Sequence, residues 1–312
     1  MKAVYYIAFN KDWGHVADKV WDILEEEGYL KEKTIKTPDD KDAYKYADDA
    51  GNEFHFVPTD RAICLNYPKY LPFMNEHYAD FDVSGMVTWH EGAAAEPNVI
   101  TCHTLGDMDS GHFSPSKPRF MRNIMHGMQR HIEELGLEGY RAVTEGTHWS
   151  GVHEGHGQPE LLDEYPVAMM DLEVGSDESS WGDINACRAL ARSLMDIFTD
   201  DGKKVHNLLC VGGVHFDPNF AQAVFTEWGD EAFGVTHILA NQWLVTGEYE
   251  SEEGFEKAVA CVEKIDGGID AVVMHDKAKA CYKDLARNIA AKYEVPVFKH
   301  QRLRKPEGME LK

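Results

Sequence analysis

Residues 205–218 read Val-His-Asn-Leu-Leu-Cys-Val-Gly-Gly-Val-His-Phe-Asp-Pro, which is the pattern of a strand, a tight turn and the start of a helix. The run 205–211 is mostly apolar, and proline is well accepted at the first position of a helix. Two glycines let the backbone turn sharply out of the strand. We therefore expect His215 to lie over the edge of a sheet, just before a helix. A plain tight turn without function is the alternative.

The same order of strand and helix recurs on both sides of this stretch. Apolar strand patterns occupy 2–8, 140–144, 167–174, 271–274 and 295–298, and helical patterns occupy 16–28, 118–135, 184–198, 218–228 and 278–293. Alternation of this kind predicts an α/β protein in which a mostly parallel sheet is covered by helices. In such sheets, active sites lie outside the carboxyl ends of the strands.

The first part of the chain is less regular. Short strand patterns are found at 62–65, 86–89 and 99–102, each bounded by Pro, Gly or Asp. The segment 31–52 is charged and almost devoid of aliphatic residues, which predicts a surface excursion.

Composition excludes several classes of protein. The chain has 31 Lys and Arg against 54 Asp and Glu, a net charge of −23, which opposes non-specific binding to nucleic acid such as DNA. No phosphate-binding GxGxxG or GxxxxGK[ST] loop is present. The sequence also lacks a secretory signal and a long apolar stretch, so we expect no membrane association and a cytoplasmic location. The six cysteines show no CxxC spacing and are expected to be reduced core residues.

Histidines concentrate in one region. Eight of the 16 fall between residues 90 and 156: His90, His103, His112, His126, His131, His148, His153 and His156. Histidine is the commonest metal ligand and a ready general base, so a cluster at strand ends indicates a hydrolytic site. An incidental set of solvated histidines is the alternative.

Four motifs follow strand patterns, namely Thr88-Trp89-His90-Glu91, Thr101-Cys102-His103-Thr104, Thr144-Glu145-Gly146-Thr147-His148 and the 212–218 turn. One carboxylate with two or three imidazoles suits zinc and leaves a position for water. Glu173 ends another strand and is a further candidate ligand, although a carboxylate there would equally cap a helix. His153 and His156 lie in a glycine-rich loop, and a surface role is the better interpretation of His156. No GxSxG elbow supports a serine nucleophile.

Together these motifs resemble the D-aminoacyl-tRNA deacylases of archaea and plants, the zinc-containing type. The Glu145-Gly146-Thr147-His148 and Gly212-Gly213-Val214-His215 motifs have counterparts there in the same order, as has 172–176 with the Trp181 that follows. The resemblance implies hydrolysis of the ester of D-aminoacyl-tRNA, with two zinc ions. It also implies a phosphorylase/hydrolase-like three-layer α/β/α fold with an additional N-terminal α/β subdomain.

Pattern and resemblance together assign the expected roles. We expect an N-terminal subdomain at 1–115 and a catalytic domain at 116–312, with the site formed by both, in a monomer that takes the acceptor end of tRNA. The expected catalytic residues are Glu145, His148 and His215. The expected metal ligands are His90, His103, His148, Glu173 and His215. The expected substrate-binding residues are Gly212, Gly213, His153, Lys117 and Arg119. Lys117 and Arg119 belong to a basic set with Arg122 and Arg130, and a solvated helix face is the alternative interpretation of that set.

Departures from the family pattern leave other functions open. Trp149 stands in place of a second histidine, Val214 in place of a glycine and Asp217 in place of an alanine. The chain therefore resembles a divergent member of that family. A metal-dependent hydrolase of a small ester or amide, and a non-catalytic ligand-binding relative, are the alternatives.

Overall fold

The computed structural model describes residues 1–9, 15–92, 95–153 and 157–312, without the side chains of residues 152 and 153. The strands are Lys2–Ala8 (β1), Glu32–Lys36 (β2), Asp42–Ala47 (β3), Glu53–Thr59 (β4), Val83–Glu91 (β5), Val99–Thr104 (β6), Gly106–Asp107 (β7), His112–Phe113 (β8), Arg141–Thr144 (β9), Met169–Ser176 (β10), Lys204–Val211 (β11), Glu227–Trp228 (β12), Glu231–Leu239 (β13), Ala271–Met274 (β14) and Val297–Lys299 (β15). The helices are Val16–Glu26 (α1), Tyr67–Tyr78 (α2), Pro118–Glu134 (α3), Ser150–His153 (α4), Glu178–Gly182 (α5), Ile184–Ser193 (α6), Pro218–Val224 (α7), Asn241–Thr246 (α8), Glu252–Glu263 (α9) and Ala280–Tyr293 (α10). Short 3₁₀ helices occupy Ile63–Asn66, Pro159–Glu164, Leu194–Asp196 and His300–Arg304.

The strands form two main sheets. The larger has the order β2-β3-β4-β1-β5-β10-β6-β9, and the smaller has the order β12-β13-β11-β14-β15. Strands β4, β1, β5 and β10 run parallel to one another, whereas β6 and its parallel neighbour β9 run in the opposite direction to β10. In the smaller sheet β13, β11, β14 and β15 are parallel.

Helices cover both sides of these sheets. On one side, apolar residues of α1, α3, α6 and α7 share a single core with both sheets. On the other side, α2 packs on the larger sheet and α8, α9 and α10 pack on the smaller. The molecule therefore has the three-layer α/β/α architecture and the mostly parallel strands that the sequence predicts.

Two local expectations from the sequence are wrong. Residues 62–65 were expected to form a strand, but Ile63–Asn66 is a 3₁₀ helix that buries Ile63 and Cys64. The helix expected at 218–228 ends at Val224, because β12 follows. The segment 31–52, expected to be a surface excursion, contains the antiparallel pair β2 and β3, and most of its residues are exposed or half-buried.

The predicted boundary at residue 115 does not separate the two sheets. Strands β9 and β10 follow that residue, yet both belong to the larger sheet with β1, β5 and β6. The division into two subdomains stays a prediction.

Two compositional expectations can also be compared with the structure. All six cysteines are free, and five of them are buried. Within the described ranges, no helix is both long enough and apolar enough to cross a membrane.

Candidate active site

Polar side chains occupy the middle of one face of the larger sheet. Asp171 lies opposite His103 across the β10–β6 ladder, and Glu173 lies opposite Thr101. Residues paired in this way point to the same face of a sheet. The intervening Leu172 faces the helical core on the other side. The alternation in β10 therefore gives one apolar face and one acidic face.

This location differs from the one that the sequence led us to expect. Because β6 is antiparallel to β10, the carboxyl ends of β6 and β9 lie at the opposite end of the sheet from those of β5 and β10. His103 and Glu173 consequently meet on a sheet face and not at a common carboxyl edge.

His215 comes from the carboxyl edge of the smaller sheet, as predicted. Gly212 and Gly213 have φ values of 92° and 82°, a conformation that residues with a side chain rarely adopt. A Cβ on Gly213 would lie 2.4 Å from Oδ2 of Asp217, which caps α7 by accepting from the Asn219 amide. The His215 carbonyl accepts from the Gly146 amide at 2.8 Å, which joins the turn to the segment after β9.

Glu145 is the centre of the cluster. His215 Nε2 donates to its Oε2 at 2.6 Å, and Thr101 donates to its Oε1 at 2.5 Å. His90 Nε2 lies 3.7 Å from the same carboxylate. Burial alone would raise the pKa of Glu145, but the hydrogen bond from His215 and the imidazoles of His103 and His90 hold it well below its usual range. Glu145 is therefore a buried, ionised carboxylate.

The two histidines beside Glu145 have defined tautomers. His103 Nδ1 donates to the Thr104 carbonyl at 3.2 Å, and His148 Nδ1 donates to the Gly146 carbonyl at 2.9 Å. Since a carbonyl only accepts, each Nε2 carries a lone pair in the neutral ring. Burial lowers the pKa of His103 to about 4. Burial, followed by the nearby His103, holds the pKa of His148 well below its usual value. Both rings are neutral near pH 7, the form that binds metals.

Asp171 adds a carboxylate that the sequence analysis did not single out. Its Oδ2 lies 3.5 Å from His103 Nε2, and Glu173 Oε1 lies 4.0 Å from the same nitrogen. Burial, and then the charge of Glu145, raises the pKa values of Asp171 and Glu173. Among the described residues, no hydrogen-bond partner reaches His103 Nε2 or either oxygen of Asp171. The alternation of acidic and apolar residues in 171–174 was the signal available for Asp171.

These unpaired buried atoms fit a metal site. Within this cluster, three groups of side chains bring one ligand atom each to within 4.8 Å of one another: His90 with Glu145 and His215; His103 with Glu145 and His148; and His103 with Asp171 and Glu173. Buried charges and polar atoms without partners are costly unless a cation or hydrogen bond compensates them. All five predicted ligands lie in these groups.

A cavity of about 440 Å³ opens beside the cluster. It is lined by Ala62, Cys64, Leu65, Met86, Thr88, Trp89, His90, Glu91, His148, Ser150, Glu173, His215, Gln242 and Trp243. The Trp243 ring stacks on His148 at a centroid distance of 5.2 Å. The lining thus combines apolar side chains with the imidazoles of His90, His148 and His215, which is typical of a pocket for a small organic group.

The predicted basic residues on α3 do not line this cavity. Lys117 lies 3.9 Å from Asp82, and Arg119 pairs with Asp200 at 3.5 Å and donates to the Lys203 carbonyl. The side chains of Arg122 and Arg130 also pair with carboxylates, and Arg122 is buried. These cations neutralise acidic groups of the fold itself.

Two further expectations concern the segment after His148. Trp149 is buried and packs on Tyr67, so the residue that replaces the family's second histidine belongs to the core. The side chain of His153 and the whole of His156 lie outside the described residues.

Comparisons with known proteins point to one family. A family model described as D-aminoacyl-tRNA deacylase matches residues 77–298. A D-aminoacyl-tRNA deacylase of Korarchaeum cryptofilum is 26% identical over 238 residues, which cover 71% of this chain and 78% of that one. Another, of Cenarchaeum symbiosum, is 27% identical over 150 residues. That match covers 46% of this chain and 52% of the relative, so this chain spans about half of the relative's length.

A solved structure shares the fold across nearly the whole molecule. It is described as a conserved protein of unknown function, and it superposes with a TM-score of 0.72 at 18% identity, covering 98% of this chain and 97% of its own. Since the family model extends over more than two thirds of the sequence, this chain belongs to the D-aminoacyl-tRNA deacylase family.

Proposed function

We propose that this protein hydrolyses the ester bond between a D-amino acid and tRNA, with two zinc ions held by the histidine and carboxylate cluster. The single observation that carries the proposal is Glu145, a buried carboxylate that accepts from His215 and lies beside His90 and His103 next to a cavity, in a member of this family.

His215 is suited to move a proton during the reaction. Its Nε2 donates to Glu145, which leaves Nδ1 as the proton acceptor of the neutral ring. An imidazole held in this way by a buried carboxylate acts as a general base towards water and then as a general acid towards the leaving hydroxyl of the ribose. The side chain of His215 is 27% exposed, so it is within reach of a substrate in the cavity.

Other residues of the same cluster would hold the metal. His90 and Glu145 would hold one ion, and His103, His148, Asp171 and Glu173 would hold the second, whereas His215 would keep its Nδ1 for the proton transfer. When bound, zinc supplies a Lewis acid that polarises the ester carbonyl. The raised pKa values of Asp171 and Glu173 support this assignment, because a divalent cation would provide the positive charge that their surroundings lack.

The test uses the purified full chain with D-tyrosyl-tRNA and L-tyrosyl-tRNA as substrates. We expect release of D-tyrosine that a chelator abolishes and zinc restores, and about two zinc ions per chain by elemental analysis. Unchanged turnover after chelation would contradict the metal requirement. Absence of turnover in the zinc-loaded protein would contradict the deacylase function and would favour hydrolysis of a small ester or amide.

A matched pair of variants tests the role of His215. His215→Asn should abolish turnover, whereas His206→Asn, which removes an imidazole paired with Glu231 at the other end of the smaller sheet, should leave it intact. Equal loss in both variants would mean that the effect comes from folding and not from the proton transfer.

A further inference from the structure

A cluster of positive charge lies at the carboxyl ends of β14 and β15. Between His275 and Lys305 the sequence has nine Lys and Arg but only three Asp and Glu, whereas the whole chain has 31 against 54. Six of these cations lie near the ends of these two strands. Lys277 and Lys279 follow β14, Lys299 ends β15, and Arg302, Arg304 and Lys305 follow β15. We call these six residues the C-terminal basic patch.

The C-terminal basic patch is available to a partner. Five of its six side chains are exposed, and Arg302 is half-buried. Within the described part of the chain, none of the six forms an ion pair, although Arg302 and Arg304 donate to the oxygens of Glu307 and Asn219. The cations of α3 differ, since each of those is paired with a carboxylate. Unpaired surface cations on a chain of charge −23 are the expected footprint of a local polyanion site.

Contacts connect the C-terminal basic patch to the turn that carries His215. Arg304 donates to Asn219 Oδ1 at 2.6 Å, and Asn219 Nδ2 donates to Asp217 Oδ1 at 3.0 Å. His275 Nε2 lies 3.4 Å from Asp217 Oδ2, and Lys277 is two residues further on. Asp217 is itself two residues after His215. The C-terminal basic patch therefore borders the candidate active site on the side of α7.

We propose that the C-terminal basic patch binds the phosphate backbone of the tRNA acceptor stem, in place of the α3 cations that the sequence indicated. This inference rests on the proposed function, because it assumes that the ester in the cavity belongs to a nucleic acid. In such a substrate, the nucleotides that lie outside the cavity are joined by phosphates. Lysine and arginine bind these phosphates without regard to nucleotide sequence. Glu91, which lines the cavity on the side of β5, makes that side unfavourable for phosphates.

Two triple variants with the same change in charge provide the test. The first carries Lys277→Glu, Lys299→Glu and Lys305→Glu. The control carries Lys31→Glu, Lys204→Glu and Lys292→Glu, three exposed lysines that likewise form no ion pair among the described residues. Lys31 precedes β2, Lys204 begins β11, and Lys292 lies in the last turn of α10. Circular dichroism melting compares the folding of both proteins.

Binding is measured by fluorescence anisotropy with a labelled, uncharged tRNA transcript over a series of salt concentrations. We expect the first variant to bind at least about tenfold more weakly than the control, with a salt slope reduced by about 2 to 3. Equal affinity of the two variants for tRNA would overturn the proposal.

Activity separates this proposal from the proposed function. On D-tyrosyl-tRNA the first variant should lose kcat/KM in proportion to binding, whereas on 2′(3′)-O-D-tyrosyl-adenosine, which lacks phosphate, both variants should match the unchanged protein. An equal loss on both substrates would overturn the patch as a phosphate site. If the unchanged protein hydrolyses neither ester, the proposed function fails, and the binding measurement still decides whether the C-terminal basic patch holds tRNA.

Discussion

The imidazole rings of His103 and His148 stack with their centroids 3.9 Å apart and their planes at 21°. Two charged imidazoles would repel each other at this distance, and burial disfavours even one. Each ring instead donates a hydrogen bond from Nδ1 to a main-chain carbonyl, so in the neutral pair each Nε2 carries the lone pair. This arrangement is typical of histidines that bind a metal, because the second nitrogen fixes the tautomer.

The substitution Asp171→Asn tests the ligand that sequence reasoning missed. Both oxygens of Asp171 lack hydrogen-bond partners among the described residues, so an amide of the same shape loses no bond in the metal-free protein. In chelator we expect the free energy of unfolding to change by less than about 1 kcal/mol. With zinc present, bound metal and kcat/KM should both fall, by at least about tenfold for kcat/KM.

A surface aspartate provides the comparison. Asp163 pairs with His112 and Lys264, away from the cluster, and Asp163→Asn should leave zinc content unchanged. If Asp171→Asn kept its full zinc content as well, Asp171 would not be a ligand.

The substitution Glu145→Gln removes the charge at the centre of the site without changing its shape. The amide can donate as well as accept, so it no longer fixes His215 with the proton on Nε2. We expect kcat/KM on D-tyrosyl-tRNA to fall by roughly 10²- to 10⁴-fold. Glu231→Gln is the matched control, since Glu231 also accepts from a histidine, His206, at 3.2 Å but far from the cavity. Comparable activity of the two variants would remove Glu145 from the mechanism.

The sequence was sufficient to predict the strands and helices with strong periodicity. Strand β14 begins and ends where its apolar run does, and α3 covers all but the last residue of the helical pattern at 118–135. It was not sufficient for 62–65, because four apolar residues have too little length to distinguish a strand from a helical turn. Strands β2 and β3 were missed since both faces of that pair carry charged residues.

For the site, the residue types were predictable but their arrangement was not. His90, His103, Glu145, His148 and His215 all lie in the cluster that the motifs indicated. Nothing in a single sequence gives the direction of β6, and that direction places His103 opposite Asp171. The α3 cations were misleading for a related reason, since their carboxylate partners come from distant segments such as 200–201.

The substitution Gly213→Ala tests the turn that presents His215. A methyl group would meet Oδ2 of Asp217 at 2.4 Å, and the φ of 82° is already unfavourable for alanine. We expect a loss of about 1–3 kcal/mol in stability and, because His215 is displaced, a loss of roughly tenfold to a hundredfold in kcat/KM. Gly202→Ala has a similar φ of 71° with nothing within 4 Å, so it should cost stability alone. Equal kinetics in the two variants would contradict a role for the turn in positioning His215.

The substitution Arg122→Met tests whether the α3 cations are structural. Arg122 is 2% exposed and its guanidinium pairs with Asp201 at 2.6 Å and with Glu227. Because both carboxylates are partly exposed, we expect a loss of about 2–4 kcal/mol in denaturant unfolding, somewhat less than for a fully buried pair. Arg130→Met, at an exposed pair, should cost about 0–1 kcal/mol. At a temperature where both are folded, both should bind tRNA like the unchanged protein, and weakened binding in Arg122→Met would return α3 to the substrate interface.

Stability at acid pH should depend on His237, a buried histidine outside the metal groups. Its Nδ1 lies 3.3 Å from the Thr104 hydroxyl and 3.2 Å from the Thr147 hydroxyl, and burial lowers its pKa to about 3. The pKa of a histidine in the unfolded chain is about 6.5, so between pH 6.5 and 3 the unfolded state binds the extra proton. The contribution of His237 to the free energy of unfolding is therefore complete above pH 6.5. It falls as the pH decreases through this window, by about 1.4 kcal/mol per pH unit.

Urea unfolding between pH 7 and 4 measures this dependence. His237→Leu should unfold more easily at pH 7, because the threonine hydroxyls lose a partner, but its stability should decline less steeply towards pH 4 than that of the unchanged protein. The buried neutral His103 remains in both proteins and keeps part of the slope. The matched control is His131→Leu, since His131 is paired with Asp196 and Glu134. If the slopes of His237→Leu and the unchanged protein were equal, His237 would already be protonated in the folded state, and its place between Thr104 and Thr147 would need another explanation.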